Sequence, residues 1–138
     1  MTSILQLIRQ SERISNEMML AWTREFPHDI GVSEALILST LAQGPEKASV
    51  LAMKHHYTKA AVTHMTTKLE RLHAIERKKD PKDKRATYLH ITDQGMQMLQ
   101  DAKKTGDRLR EQIVSQLTEE ERQQFASIQE RILDILTE

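Results

Sequence analysis

Six cationic side chains, Arg77, Lys78, Lys79, Lys82, Lys84 and Arg85, fall within nine residues, interrupted only by Asp80, Pro81 and Asp83. A cluster this dense repels itself in water, whereas against a phosphate backbone it displaces counterions and gains free energy. Just upstream, residues 58–72 at 100° per residue place Val62, Met65, Leu69 and Leu72 on one face. Ala60, Thr63, His64, Thr67 and Arg71 occupy the other face, flanked by Lys59 and Lys68. Small and hydroxyl side chains allow close approach to base edges, and a threonine offers a donor, an acceptor and a methyl group for thymine. Flanking lysines neutralise phosphates, and a helix N-terminus favours one nearby. The same pattern alone also describes an amphipathic helix with a solvated face; the adjoining cationic cluster tips the balance towards a polyanion.

The formal net charge of zero conceals this pattern. Residues 54–90 hold ten Lys or Arg against four acids, a charge of +6, and the remainder holds ten against sixteen, a charge of −6. Five of the six histidines lie in the basic window. Such a bipolar chain suits a polyanion-facing module joined to an acidic remainder. The absence of cysteine excludes thiol redox sensing, disulfides and cysteine-ligated zinc, and it fits a reducing cytoplasm. His55 and His56 are adjacent, so on a helix they point about 100° apart and cannot chelate together. No metal or other cofactor is expected. Neither a phosphate-binding Gly-rich loop, nor a nucleophile elbow, nor a paired-carboxylate site is present, so no catalytic residues and no enzyme are expected. The sequence has no signal-peptide layout and no membrane-length apolar run, which predicts a soluble, cytoplasmic protein without a membrane partner.

The elements that must position these residues follow from periodicity. Residues 3–26 read as a first helix, with Leu7, Ile14, Met18, Trp22 and Phe26 recurring, and Pro27 ends it. Ser33 is placed as the cap of a second helix carrying Leu36, Ile37, Thr40 and Leu41, closed by Gly44-Pro45. A third spans 48–55 with Val50, Leu51 and Met53, and Thr58 caps a fourth that runs to about Leu72. Two short strands, 75–79 and 86–91, flank a polar turn at 80–84. A long helix starts at Thr92-Asp93 with Met96, Leu99, Ala102, Leu109 and Ile113 on one stripe and Gly106 inside it. Thr118 and Glu121 form a capping box for the last helix, which carries Phe125, Ile128, Ile132, Ile135 and Leu136. The fold class is therefore mainly α with a small β-hairpin wing, in the order of four helices, two strands and two helices, a winged helix-turn-helix. The apolar stripes of the outer helices exceed what the small middle can cover, so they must find each other and a second copy.

At this point the chain resembles the MarR family (multiple antibiotic resistance regulators). The resemblance rests on the run from Lys47 to Gly95, above all D-P-K-D-K-R-A at 80–86 and I-T-D-Q-G at 91–95, with Leu51-Ala52 in the third helix. It implies a homodimer joined through the N- and C-terminal helices. It divides a single domain, 1–138, into a DNA-binding lobe at 30–92 and dimerisation helices at 1–29 and 93–138. By the same resemblance, Thr58, Lys59, Ala60, Thr63, His64 and Lys68 are DNA contacts on the recognition helix. Arg85 is the wing contact, with Lys82 and Lys84 beside it on phosphates, and Asp83 orients Arg85. Family members sense small aromatic or lipophilic acids; Met18, Met19, Trp22 and Phe26 are the candidates to line such a pocket, and the same spacing equally serves a core or a dimer seam.

Three positions depart from the family pattern. Leu72-His73-Ala74 stands where a glycine is usual, Lys47 stands where Ser or Thr caps the third helix, and His64 stands where Arg is frequent. These changes bear on the operator more than on the fold. The expected function is a sequence-specific, dimeric regulator of transcription, a repressor on a pseudo-palindromic site in double-stranded DNA. The alternative is a winged-helix module that binds protein without reading DNA.

Overall fold

A computed structural model describes residues 1–138. The elements are α1 (Ile4–Glu25), α2 (Val32–Leu41), α3 (Ala48–His55), α4 (Lys59–Arg71), β1 (Ile75–Lys79), β2 (Thr87–Ile91), α5 (Asp93–Val114) and α6 (Glu119–Thr137). Packing divides the chain into two compact units, 1–105 and 106–138. Within the first, α2, α3, α4 and the hairpin form the expected winged helix-turn-helix.

Its core is built from the inward faces of short elements. Ile37, Leu38 and Leu41 of α2, Leu51 of α3, Val62, Met65 and Leu69 of α4, and Ile75 and Leu89 of the hairpin are buried together. Phe26, Ile30, Ala74, Met98, Leu99 and Ala102 extend this cluster. Leu36 of α2 and Met53 of α3, both on the predicted apolar sets, turn outward instead. Helix α2 begins at Val32 with Gly31 as its cap, so Ser33 lies inside the helix. Glu34 supports this start, its Oε2 accepting the Gly31 amide at 3.2 Å as the N3 acid of a capping box does. The last turn of α1 and the loop after it are tied to α5 by polar contacts. Trp22 Nε1 donates to the Ala102 carbonyl at 3.0 Å, and His28 Nε2 lies 2.7 Å from Asp101 Oδ2. The His28 contact, helped by Gln97, holds the Asp101 carboxyl below its ordinary pKa.

The hairpin pairs Ile75 with Ile91, Arg77 with Leu89 and Lys79 with Thr87. Strand β2 starts at Thr87, one residue later than the sequence suggests, because the Ala86 carbonyl and amide are used in the turn by Asp80 and Asp83. A third partner joins it: Glu46 and Leu89 exchange two backbone hydrogen bonds, of 3.2 and 2.8 Å. A one-residue bridge has no periodicity, so no sequence pattern announces it.

The connection from α4 to the hairpin is held by the first turn of α5. Thr92 Oγ1 donates to the His73 carbonyl at 2.6 Å, the Thr92 amide donates to the Ala74 carbonyl at 3.0 Å, and Gln94 Nε2 donates to the Leu72 carbonyl at 3.2 Å. Thr92 Oγ1 also accepts the Gly95 amide at 3.0 Å, capping α5. Gly95 packs so closely that an added Cβ would stand 2.1 Å from the Ala74 carbonyl oxygen. This contact fixes the rotation of α5. From Gly95, the positions three, four and seven residues on are Met98, Leu99 and Ala102, and they face the core. The predicted stripe had Met96 and Ile113 in it; both are exposed.

Two histidines close the turns around α4. His56 at the end of α3 has φ 57°, and His73 after α4 has φ 59°. At the second, the Ala74 amide reaches the Leu69 carbonyl at 2.9 Å and the His73 amide reaches that of Glu70 at 3.0 Å, a Schellman closure. Left-handed backbone costs a residue with a Cβ about 1–2 kcal/mol.

In the second unit, Thr118 Oγ1 accepts the Glu121 amide at 3.1 Å, and Glu121 accepts the Thr118 amide at 2.9 Å. The capping box is formed as read, and the Thr118 amide lowers the pKa of Glu121. Helix α6 buries no side chain, and its Phe125, Ile128, Ile132, Leu133, Ile135 and Leu136 are exposed.

Two stability changes follow. Gly95→Ala is expected to destabilise the protein by about 3 kcal/mol, since a backbone carbonyl cannot swing aside, and urea unfolding will measure it. His73→Gly is expected to raise stability by about 1 kcal/mol in the same assay by relieving the left-handed residue.

Candidate nucleic-acid interface

Helix α4 exists where it does because its two ends are closed by local chemistry and its apolar stripe is buried. Thr58 Oγ1 accepts the Ala61 amide at 3.0 Å, starting the helix. With Val62, Met65 and Leu69 inward, the opposite face is left to solvent. Lys59, Ala60, Thr63, His64 and Thr67 line an open depression of about 670 Å³ there. The Thr63 hydroxyl donates to the Lys59 carbonyl at 2.9 Å, which leaves its lone pairs and methyl turned outward. The structure thus brings Lys59, Ala60, Thr63 and His64 onto one surface, with Thr67 beside them. Thr58 sits at its margin as a cap. Lys68 is held apart: its Nζ lies 3.4 Å from Glu34 Oε1, tying α4 to α2.

The wing carries fewer free cations than the sequence count suggests. Arg77 Nε pairs with Glu70 Oε2 at 2.9 Å, and Lys78 Nζ lies 3.7 Å from Glu76 Oε2. Lys79 donates to the Lys84 carbonyl at 3.2 Å, bracing the turn from within. Lys82 and Lys84 form no ion pair and stay exposed. Arg85 is 94% exposed, the fullest exposure among the paired cations. Asp83 Oδ1 accepts from the Arg85 amide at 3.1 Å and from its Nε at 3.3 Å. One carboxylate oxygen therefore fixes both the backbone and the stem of Arg85, leaving the terminal nitrogens free to donate. Asp80 does the same for the Lys82 amide at 3.0 Å.

Charge and shape act together here. Each acid in the wing is used to shape the turn or to pair an inner cation, so the outward tip remains positive. Among the described residues no group of three or more His, Asp or Glu is arranged to hold a metal ion. No helix is long and apolar enough to cross a membrane. Of the side chains named for a small-ligand pocket, Trp22 and Phe26 meet in a tilted contact with ring centroids 4.5 Å apart, Phe26 is buried, Met18 is half-buried and Met19 is exposed.

Sequence reasoning missed the partners Glu34, Glu70 and Arg77. Their signals were present: Glu34 follows Gly31 by three residues, and Arg77 shares the alternating face of buried Ile75.

Comparison with known proteins agrees with this geometry. The model of the MarR family matches residues 31–87, which span α2 to the start of β2. The uncharacterized HTH-type transcriptional regulator YkoM of Bacillus subtilis (strain 168) is 36% identical over 73 residues, 52% of this chain and 47% of its own. The chain thus matches about half the length of that relative. The crystal structure of YusO from Bacillus subtilis superposes with a TM-score of 0.78 at 27% identity, covering 94% of this chain and 91% of that one. A mutant of S. aureus MepR bound to an oligodeoxyribonucleotide has the same fold, with a TM-score of 0.73 at 23% identity over 99% of both chains. With the family's model on the lobe that holds the interface and a like fold along the length of the chain, the protein is similar to the MarR family of winged helix-turn-helix proteins.

Proposed function

We propose that the protein is a sequence-specific DNA-binding regulator of transcription, a repressor that acts as a homodimer on a pseudo-palindromic operator. The observation that carries this reading is the pairing of an open, polar α4 face with an exposed Arg85 whose direction is set by Asp83. In the reading, α4 enters a major groove, where Thr63 and His64 meet base edges and Lys59 meets a phosphate. Arg85 reaches the neighbouring minor groove, with Lys82 and Lys84 along the backbone. Two-fold symmetry then sets two half-sites about one helical turn apart on one face of the duplex. The DNA-bound MepR mutant of like fold supports this mode of use.

The homodimer is supported by the apolar side chains that the single chain leaves in solvent. On α1 these are Ile4, Leu5, Leu7, Ile8, Ile14, Met19 and Leu20; on α6 they include Ile128, Ile132 and Leu136. Exposed stripes of this length call for a partner, and a second copy presents the same stripes. Release by a small aromatic or lipophilic ligand belongs to the same reading, with Met18, Met19, Trp22 and Phe26 as the side chains to test.

Titration of duplex fragments selected by the purified protein, against random duplexes of equal length, tests the reading. Selected fragments are expected to bind at least about a hundredfold more tightly than random ones. Equal affinity at low salt supports instead a winged-helix module that docks on protein. Arg85→Ala is expected to weaken operator binding and lower the salt slope by about one, while changing stability by less than about 0.5 kcal/mol. Ile128→Asp with Ile132→Asp is expected to yield monomers in sedimentation velocity and to abolish tight operator binding, since each half-site alone is weak.

A further inference from the structure

Arg77 lies in the wing's cationic run, yet its side chain turns back on the protein. It follows Ile75 by two residues in β1, so it projects from the face that packs on α4. Its Nε reaches Glu70 Oε2 at 2.9 Å, and its Nη2 donates to Thr66 Oγ1 at 3.3 Å. Thr66 is 1% exposed, and its hydroxyl proton is already given to the Val62 carbonyl at 2.8 Å. The hydroxyl therefore offers Arg77 a lone pair fixed in direction. Glu70 and Thr66 are four residues apart on α4, one turn of one face, so the guanidinium bridges that turn as a fork. A lysine at this position would carry the same charge without the planar fork that spans both acceptors.

We propose that Arg77 is a positioning residue for DNA recognition, a latch that fixes the wing against α4 so that base reading and wing contact occur together. The proposal rests on the DNA-binding reading above. Without the latch, the hairpin is still paired at β1 and β2, bridged to Glu46 and tied at its base by Thr92, but no side-chain fork then joins β1 to the outer turn of α4. The two contact surfaces then fit a duplex in register only part of the time, and specific binding suffers more than random binding.

The test separates this role from a phosphate contact. Arg77→Lys and Glu70→Gln are compared with the wild type on a selected operator duplex and on random duplex, across a range of salt. Both acceptor and donor are part-exposed, so both variants are expected to fold, with thermal melting as the check. A latch predicts that each variant loses about three- to tenfold in operator affinity, that random-duplex affinity and salt slope stay near wild type, and that the double variant loses no more than either single one. Glu70→Gln is the decisive arm, because removing a negative charge beside DNA would otherwise tighten binding. Operator affinity unchanged or improved by Glu70→Gln, or a salt slope lowered by about one in a variant that removes the Arg77 charge, Arg77→Gln, overturns the latch.

A second readout needs no DNA. The chain contains no cysteine, so Arg71→Cys with Lys82→Cys gives two unique sites for spin labels on α4 and the wing. Diluted into unlabelled protein, this pair is expected to show a narrow distance distribution that broadens with Glu70→Gln. An unchanged distribution overturns the proposal. If selection returns no preferred duplex, the DNA-binding reading fails, and the distance measurement still decides whether the latch exists.

Discussion

Three carbonyls at the end of α4, those of Leu72, His73 and Ala74, would face unpaired into the junction between two elements if α5 did not begin where it does. Thr92 and Gln94 supply donors to all three, and Gly95 makes room for the approach. Ala74 is the buried member of the three, and leaving its carbonyl without a partner would cost free energy. Satisfying these groups from α5 couples the presentation of α4 to the long helix behind it. The same contact sets the phase of α5, so Met98, Leu99 and Ala102 meet the core, and it fixes where β1 departs at Ile75. The short stretch from Thr92 to Gly95 is thus a joint through which α4, the wing and the long helix share one geometry.

The electrostatics are organised by subtraction. The chain is neutral and its basic window carries +6, but several of those charges are engaged inside the fold. Lys68 is tied to Glu34, Arg77 to Glu70 and Thr66, and Lys78 to Glu76. The solvent-facing pairs among these contribute little to stability, and the part-buried Lys68–Glu34 pair joins two elements, so their use is geometric: they hold long side chains in one arrangement. What remains outward is a small set that includes Lys59 and Arg71 on α4 and Lys82, Lys84 and Arg85 on the wing. Concentrating positive charge on an edge of a neutral molecule allows attraction to a polyanion without a global excess that would bind every acidic surface.

Much of the fold was legible because its signals are local. Thr58 caps α4, Thr118 and Glu121 box α6, Pro27 ends α1, and the change from helical to alternating period after Leu72 marks the hairpin. The left-handed residue at His73, where the family has a glycine, is there because a helix that turns sharply into a strand needs one. His56 does the same after α3 and was not anticipated, since an ordinary histidine between another histidine and a tyrosine carries no turn signature. The Glu46 bridge to Leu89 and the Glu34 cap of Gly31 were hidden for a related reason: each depends on a single side chain or a single peptide meeting a partner that periodicity does not specify.

The sequence by itself determined the order of elements, the inward stripe of α4, the outward set Lys59, Ala60, Thr63 and His64, and the pairing of Asp83 with Arg85 two residues away. All of these rest on interactions within one turn or one hairpin, whose geometry is set by the backbone period. Only the tertiary structure decided which cations in 58–85 stay free. Lys68 and Arg77 have the same charge as Lys59 and Arg85, and what separates them is an acid on a neighbouring element, Glu34 on α2 for Lys68 and Glu70 on α4 for Arg77, where Arg85 meets only its near neighbour Asp83. Residues 34 and 68 meet because two helices cross, and 70 and 77 because a strand folds back on a helix. A count of charges along a chain carries no record of either.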